Sequence, residues 1–221
     1  MQLAQKIIIA DDHPLFRAAL KQAVLQAVAG VEIIETDSLV SLQETVATHA
    51  DADLVLLDLH MPGTSGFTGL AYLRGQNSGM PVVVVSGSEQ PQVMLRAIEY
   101  GASGFIPKSA PLEVISGAIR AVLEGEVWLP QEVTDGDATL SSDDVIFAEK
   151  LGSLTPQQFR VLMMLTEGLL NKQIAYELSV SEATIKAHVT AILRKLGVHS
   201  RTQAVIEANR MGVEAPKTEM S

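Results

Sequence analysis

The sequence contains no cysteine, which removes disulfides, thiolate metal sites and a cysteine nucleophile at the outset. It has no apolar run approaching the roughly 20 residues needed to cross a bilayer, and its opening MQLAQK lacks signal-peptide architecture. The expectation is a cytoplasmic protein with no membrane partner. Basic residues are scarce, 16 Lys+Arg against 26 Asp+Glu, for a net charge of −10. The shortage is uneven. Residues 1–149 hold 7 basic against 20 acidic residues, and residues 150–221 hold 9 against 6. An acidic part repels a polyanion that a modestly basic part can approach, so the two parts suit different partners.

What is present suffices for two cores: 221 residues, 47% of them hydrophobic, leave room for two domains of ordinary size. Short apolar runs at 6–10, 31–35, 53–58, 81–86 and 104–107 are rich in Ile, Val and Leu, the pattern of strands buried on both faces. Helical spacing fills 15–28, 38–49, 67–74, 90–100 and 111–123, with Ser38 as a candidate N-cap and Pro91 and Pro111 suited to first turns. Five strand–helix repeats predict an α/β fold with a doubly wound, five-stranded parallel sheet, whose ligands bind beyond the carboxyl ends of the strands.

The spacing divides the chain into a first domain at 1–124, a linker at 125–150 and a second domain at 151–215. The linker is polar, with one short helix near 143–150, and Trp128 and Leu129 are expected to pack back on the first domain. Its residues 131–142 should be cut first by a nonspecific protease. Beyond it, helices are expected at 156–167, 171–178, 182–196 and 201–210. Thr155, Pro156 and Gln158 make a capping box, Ser181 caps the third of these helices, and Gly168 and Gly197 stand at helix ends. Four short helices with a three-residue turn between the second and third form a helix-turn-helix.

Asp11 and Asp12 end the first strand, Asp58 the third and Ser86 the fourth, and Lys108 follows the fifth. An aspartate at a strand end is ordinarily a turn former, but five chemically matched positions at one sheet edge ask for another explanation. Crowded carboxylates call for a divalent cation, and oxygen-only ligands favour Mg2+ (or Mn2+) over zinc or copper. Such a set suits phosphoryl transfer to a carboxylate. Asp58, beside the MPGTSG loop, is the expected nucleophile because a donor reaches it most easily. Asp12 would ligate the cation directly, Asp11 through water, and the His60 backbone carbonyl would add an oxygen. The five histidines show no metal-ligand spacing, and none is expected as a zinc ligand or catalytic base.

The order DD, D followed by MPG, S-G-S and GFIPK resembles a response-regulator receiver over about residues 5–123. The resemblance implies that a histidine kinase phosphorylates Asp58 and that Ser86 and Phe105 switch together. Phe105 stands where tyrosine is frequent and lacks its hydroxyl, so switching would come from the ring turning inward. Residues 151–210 are similar to a LuxR-type helix-turn-helix. Its core is expected from Leu162, Leu165, Ile174, Ala175, Leu178, Val180, Ile185, Val189, Ile192 and Leu196. Lys186, Ala187 and Thr190 share an exposed face suited to a major groove. Asn171, Lys172, Ser181, Thr184, His188, Arg194, Lys195 and Arg201 complete the candidate DNA surface. Gln157 and Gln158 replace the Arg-Glu common after Thr-Pro, which removes an ion pair.

Together the two halves resemble a NarL/FixJ-type regulator in which phosphorylation controls binding to double-stranded DNA and transcription. It would form a homodimer on phosphorylation or DNA binding, through helix 201–210 with Val205 and Ala208, and phosphate on Asp58 would draw in Ser86 and Lys108 and favour release or pairing of the domains through the face around helix 90–100. It is not expected to turn over a substrate, beyond shedding its own phosphoryl group. Two other readings carry less weight. An aspartate-nucleophile phosphatase would want an aspartate where His60 stands, and a degenerate receiver would not keep all five site residues.

Overall fold

A computed structural model describes residues 5–77, 79–131, 133 and 142–212. Five parallel strands, β1 (Lys6–Ala10), β2 (Glu32–Thr36), β3 (Leu54–Asp58), β4 (Val82–Ser86) and β5 (Gly104–Pro107), pair in the order β2-β1-β3-β4-β5. Helices α1 (Pro14–Ala27), α2 (Leu39–Thr48), α3 (Thr68–Gln76), α4 (Pro91–Glu99) and α5 (Leu112–Leu123) alternate with them. The two-residue period of the strands divides the core. Ile7, Ile9, Leu54, Leu56, Val83, Val85 and Ile106 pack with α1 and α5. Ile8, Val55, Leu57, Val82, Val84 and Phe105 pack on the other face with α2, α3 and α4.

Burial on both faces holds for the other four strands but not for β2, an edge strand that leaves Glu32 and Glu35 exposed. Glu35 accepts from Lys21 Nζ at 2.6 Å and Arg17 Nε at 3.2 Å, and these cations, Lys21 first, hold its carboxyl below the usual range. The Ser38 hydroxyl caps α2 by accepting from Ser41 N, and Pro91 opens α4, as expected. Pro111 instead occupies the N-cap of α5, one position ahead of the first turn. The opposite edge is covered. Trp128 N–H donates to Ser103 O at 3.1 Å, and Phe105 N–H donates to Trp128 O at 3.0 Å. Gly104 permits this approach, because a Cβ there would stand 3.0 Å from Trp128 O.

The C-terminal part contains α6 (Ser142–Gly152), α7 (Pro156–Thr166), α8 (Asn171–Glu177), α9 (Glu182–Leu196) and α10 (Arg201–Arg210). Residues 132, 134–141 and 213–215 of the expected linker and second domain lie outside the described residues, as does most of the proposed cleavage segment. Within the expected linker, α6 extends past 150 and lies on α3, with Phe147 and Leu151 buried. Ile174, Ala175, Ile185, Ile192 and Leu196 form the helix-turn-helix core with Leu162 and Leu165, while Leu178 and Val189 are partly buried. Val180 was expected among them but is 37% exposed. It sits in the turn after Ser179, whose φ of 54° carries the chain outward.

The capping box of α7 is formed from both sides: Gln158 N donates to Thr155 Oγ1 at 3.3 Å and Thr155 N to Gln158 Oε1 at 3.1 Å. Thr155→Ala should cost about 1 kcal/mol. Urea titration followed by circular dichroism would read this as a lower midpoint in the transition that reports the C-terminal helices; an unchanged midpoint would show that the cap adds nothing.

Candidate functional site

Parallel strands that stop in step bring Asp11, Asp58, Ser86 and Lys108 to one sheet edge. Asp11 and Asp58 are buried, at 0% and 2% exposure, and Ser86 is fully enclosed, its Oγ accepting from Ser88 N at 3.2 Å. Lys108 follows β5, and its Nζ lies 2.8 Å from Asp58 Oδ2 and 2.7 Å from Asp11 Oδ2. The same ammonium stands 4.9 Å from the Phe16 ring centroid. Asp58 Oδ1 accepts from His60 N at 3.2 Å.

Three carboxylates meet one ammonium here, leaving more negative than positive charge. Asp11 Oδ2 and Asp12 Oδ1 are buried and receive no directed hydrogen bond, although Lys108 reaches the first at ion-pair distance. Clustered, incompletely satisfied oxygens of this kind fit a divalent cation. Asp11, Asp12 and Asp58 would hold it.

Four expectations change. Asp58 is not the most accessible carboxylate: its side chain is 1% exposed and that of Asp12 is 29%. Its distinction is its donors, Lys108 and His60 N, rather than an open loop. Phe105 is already fully buried, so an inward turn of its ring is not available as a switch. Lys108 is also drawn in before any phosphoryl group arrives. Finally, His13, set aside at the sequence level, has Nδ1 at 3.0 Å from Asp12 Oδ1, 3.3 Å from Asp11 Oδ1 and 3.5 Å from Asp58 Oδ2. Its place directly after the acidic pair was the available signal, and a search by histidine spacing overlooks it.

The expected DNA surface separates into two groups. Ser181, Thr184, Lys186, Ala187, Thr190 and Arg194 are exposed along α9, Lys172 is exposed on α8, and His188 is half-buried beside them. Ser181 Oγ caps α9 by accepting from Thr184 N at 3.1 Å. Lys186 pairs with Glu182 at 2.9 Å, a surface contact worth a few tenths of a kcal/mol that incoming phosphate can displace. The other group is engaged internally. Arg201 donates to Leu169 O and to Asn171 Oδ1, tying α10 to the start of α8. Lys195 Nζ donates to Ser153 O at 2.7 Å, at the end of α6. Both charges hold the helices together, and Asn171 is committed with Arg201. Ala208, expected at a dimer surface, is 1% exposed and belongs to the core; Val205 is half-buried.

The two halves are docked. Gly75 on α3 and Gly152 on α6 meet so closely that a Cβ on Gly75 would lie 2.1 Å from Gly152 Cα. Gln76 Nε2 donates to Gly152 O and Leu154 O at 3.0 and 3.1 Å. Tyr72 stacks obliquely on Phe159 with centroids 4.5 Å apart, and burial pushes its phenol up to about 12 against the smaller, opposite pull of Gln43. At the far end of the contact, Phe67 N donates to Met211 O at 3.0 Å, and Arg96 donates to Arg210 O at 3.3 Å.

Comparison with known proteins finds two families along the chain. The family described as response regulator receiver domain matches residues 7–120, and that described as bacterial regulatory proteins, luxR family, matches 152–208. The glycerol metabolism activator of Pseudomonas putida is 46% identical over 92% of this chain and 94% of its own length. NarP, a nitrate/nitrite response regulator of Escherichia coli, is 34% identical over 91% of this chain and 93% of its own. Among solved structures, the Salmonella typhimurium response regulator RcsB shares the fold with a TM-score of 0.54 at 23% identity, covering 92% of this chain and 97% of that one.

Proposed function

Because this chain belongs to the NarL/FixJ family of two-component response regulators, with a receiver domain and a LuxR-type DNA-binding domain, we propose that a phosphoryl group on Asp58 sets the strength of its grip on DNA. The observation that carries this reading is Asp58 itself: a buried carboxylate held between Lys108 Nζ and His60 N, with two further carboxylates beside it.

In the reaction, an Asp58 oxygen attacks the phosphorus of a phosphohistidine on a sensor kinase. The new O–P bond makes an acyl phosphate, the P–N bond breaks, and the electron pair leaves with the kinase imidazole. Asp11, Asp12, Asp58 and the His60 carbonyl would hold a magnesium ion, which would supply positive charge for the phosphoryl oxygens. Lys108, already 2.8 Å from Asp58, neutralises a further oxygen, and the Ser86 hydroxyl at the end of β4 donates to another. Loss of the group to water resets the receiver, and the chain is otherwise a transcription factor rather than an enzyme.

The output half reads DNA with the exposed face of α9, where Lys186, Ala187 and Thr190 meet base edges while Lys172, Thr184 and Arg194 meet phosphates. One such unit makes few base contacts, so two copies on paired half-sites are needed for useful specificity. The recognition face stays exposed while the halves are docked. Docking instead occupies the end of α10 through Phe67 and Arg96, so control operates by freeing that end for pairing two copies. No helix among the described residues is long and apolar enough to cross a membrane, and the working compartment is the cytoplasm.

Footprinting on genomic DNA with and without a phosphodonor tests this reading. Protection should deepen with the donor and fall on paired half-sites about one helical turn apart. Lys186→Ala should lose about 1–3 kcal/mol of specific binding while accepting phosphate normally. Footprints that are single, or equally deep in both conditions, would contradict it.

A further inference from the structure

The carboxylates account for the cation site expected of a receiver, but four residues converge on the position, and the fourth is not an oxygen donor. Single ligand atoms from Asp11, Asp12, His13 and Asp58 all lie within 4.8 Å of one another. We propose that His13 Nδ1 is a ligand of the divalent cation and shifts the site's preference from magnesium towards transition-metal cations such as Mn2+ and Co2+. This rests on the cation reading above and adds to it a donor and a selectivity.

Spacing is the first support. Neighbouring ligands of an octahedral ion bound at about 2.1 Å stand ~3 Å apart. The His13 nitrogen lies 3.0, 3.3 and 3.5 Å from oxygens of Asp12, Asp11 and Asp58, so a cation among them needs little rearrangement of the ring.

The backbone that carries this ring is itself fixed. His13 N donates to Asp11 Oδ1 at 2.7 Å, and its carbonyl accepts from Arg17 N at 2.9 Å. The following Pro14 opens α1 and confines His13 to the extended conformation it adopts, φ −92° and ψ 104°. A backbone held on both flanks keeps the Cα of His13 beside the carboxylates and limits where its imidazole must reach. His13 also closes the mouth of the site: its side chain is 59% exposed, whereas those of Asp11 and Asp58 are 0% and 1%.

Chemistry supplies the direction. Magnesium takes oxygen ligands and sheds water reluctantly, whereas imidazole suits cations later in the first transition row. Three carboxylates alone would leave magnesium well served. Adding one imidazole nitrogen strengthens binding of Mn2+ and Co2+ more than that of Mg2+. Lys108 Nζ, 3.4 Å from the same nitrogen, remains on the Asp58 side to meet the phosphoryl group.

The test uses the full-length protein and Mn2+ as the probe. Electron spin-echo modulation of the bound ion should show nitrogen coupling from a directly ligated imidazole. His13→Asn, which places an amide oxygen near the same position, should abolish that coupling and retain bound Mn2+. Calorimetry with Mn2+ and Mg2+ should show the ratio of the two affinities falling about tenfold in the variant. Bound Mn2+ without imidazole coupling, or an affinity ratio unchanged by His13→Asn, would overturn the role of His13 and leave the carboxylate site standing. Failure of the wild-type chain to bind Mn2+ at all would overturn both.

Discussion

Asp58→Asn will yield a folded chain that gains no phosphoryl mass when incubated with a small phosphodonor and magnesium, whereas the unsubstituted chain gains one. Asparagine keeps the shape at the end of β3 and can still accept from His60 N, while relieving the crowding of three carboxylates around Lys108. Its amide oxygen is not a nucleophile of comparable strength, so the effect is loss rather than attenuation. Intact-mass spectrometry makes the comparison. Labelling of Asp58→Asn at the unsubstituted rate would transfer the role to Asp11 or Asp12. Asp12→Ala should separate the two contributions, because it keeps the nucleophile and removes the most exposed of the three candidate carboxylate ligands.

The second large effect lies away from both chemical sites. Gly75→Val introduces a Cβ where Gly152 Cα would be only 2.1 Å away and its carbonyl carbon 2.5 Å away. Both obstacles are backbone, and neither can swing aside. Helices α3 and α6 must part, which breaks the Gln76 hydrogen bonds and unstacks Tyr72 from Phe159. The unphosphorylated variant should bind paired sites about as tightly as the phosphorylated parent, a gain on the order of 1–3 kcal/mol. Small-angle scattering should show a larger radius of gyration. Gly152→Val attacks the same contact from the other helix and should give the same result. Retained phosphorylation in either variant would show that the receiver remains folded. Expanded, phosphorylatable proteins with unchanged DNA affinity would mean that docking exerts no control.

The sheet was legible because its strands are short, nearly continuous apolar runs between helix-length segments, and because ligand chemistry in such sheets gathers at the carboxyl ends. That rule placed Asp11, Asp58, Ser86 and Lys108 together without any coordinates. The recognition helix was equally accessible through local signals: the Ser181 cap, Gly197 with its φ of 71°, and the exposed spacing of Lys186, Ala187 and Thr190. What escaped was set by long-range packing. The polar run that precedes α6 gives no sign that the helix will be drawn onto α3, since the contact depends on two glycines 77 positions apart (Gly75 and Gly152). Arg201 and Lys195 read as candidate phosphate contacts because a sequence displays charge and conceals the carbonyls that claim it. His13 was missed because its acidic neighbours are adjacent or brought together by the sheet, and no spacing of histidines reports that.

The central claim is that phosphate on Asp58 changes affinity for DNA through docking, and it is tested most directly by a gel-shift titration of one full-length preparation. The protein would be titrated onto a paired-site duplex before and after treatment with a phosphodonor, with Asp58→Asn treated identically. The phosphorylated protein should bind about 5- to 150-fold more tightly, as a coupling of this size implies, with two chains per duplex, and Asp58→Asn should not respond. Equal affinity and stoichiometry for the two forms would contradict the claim.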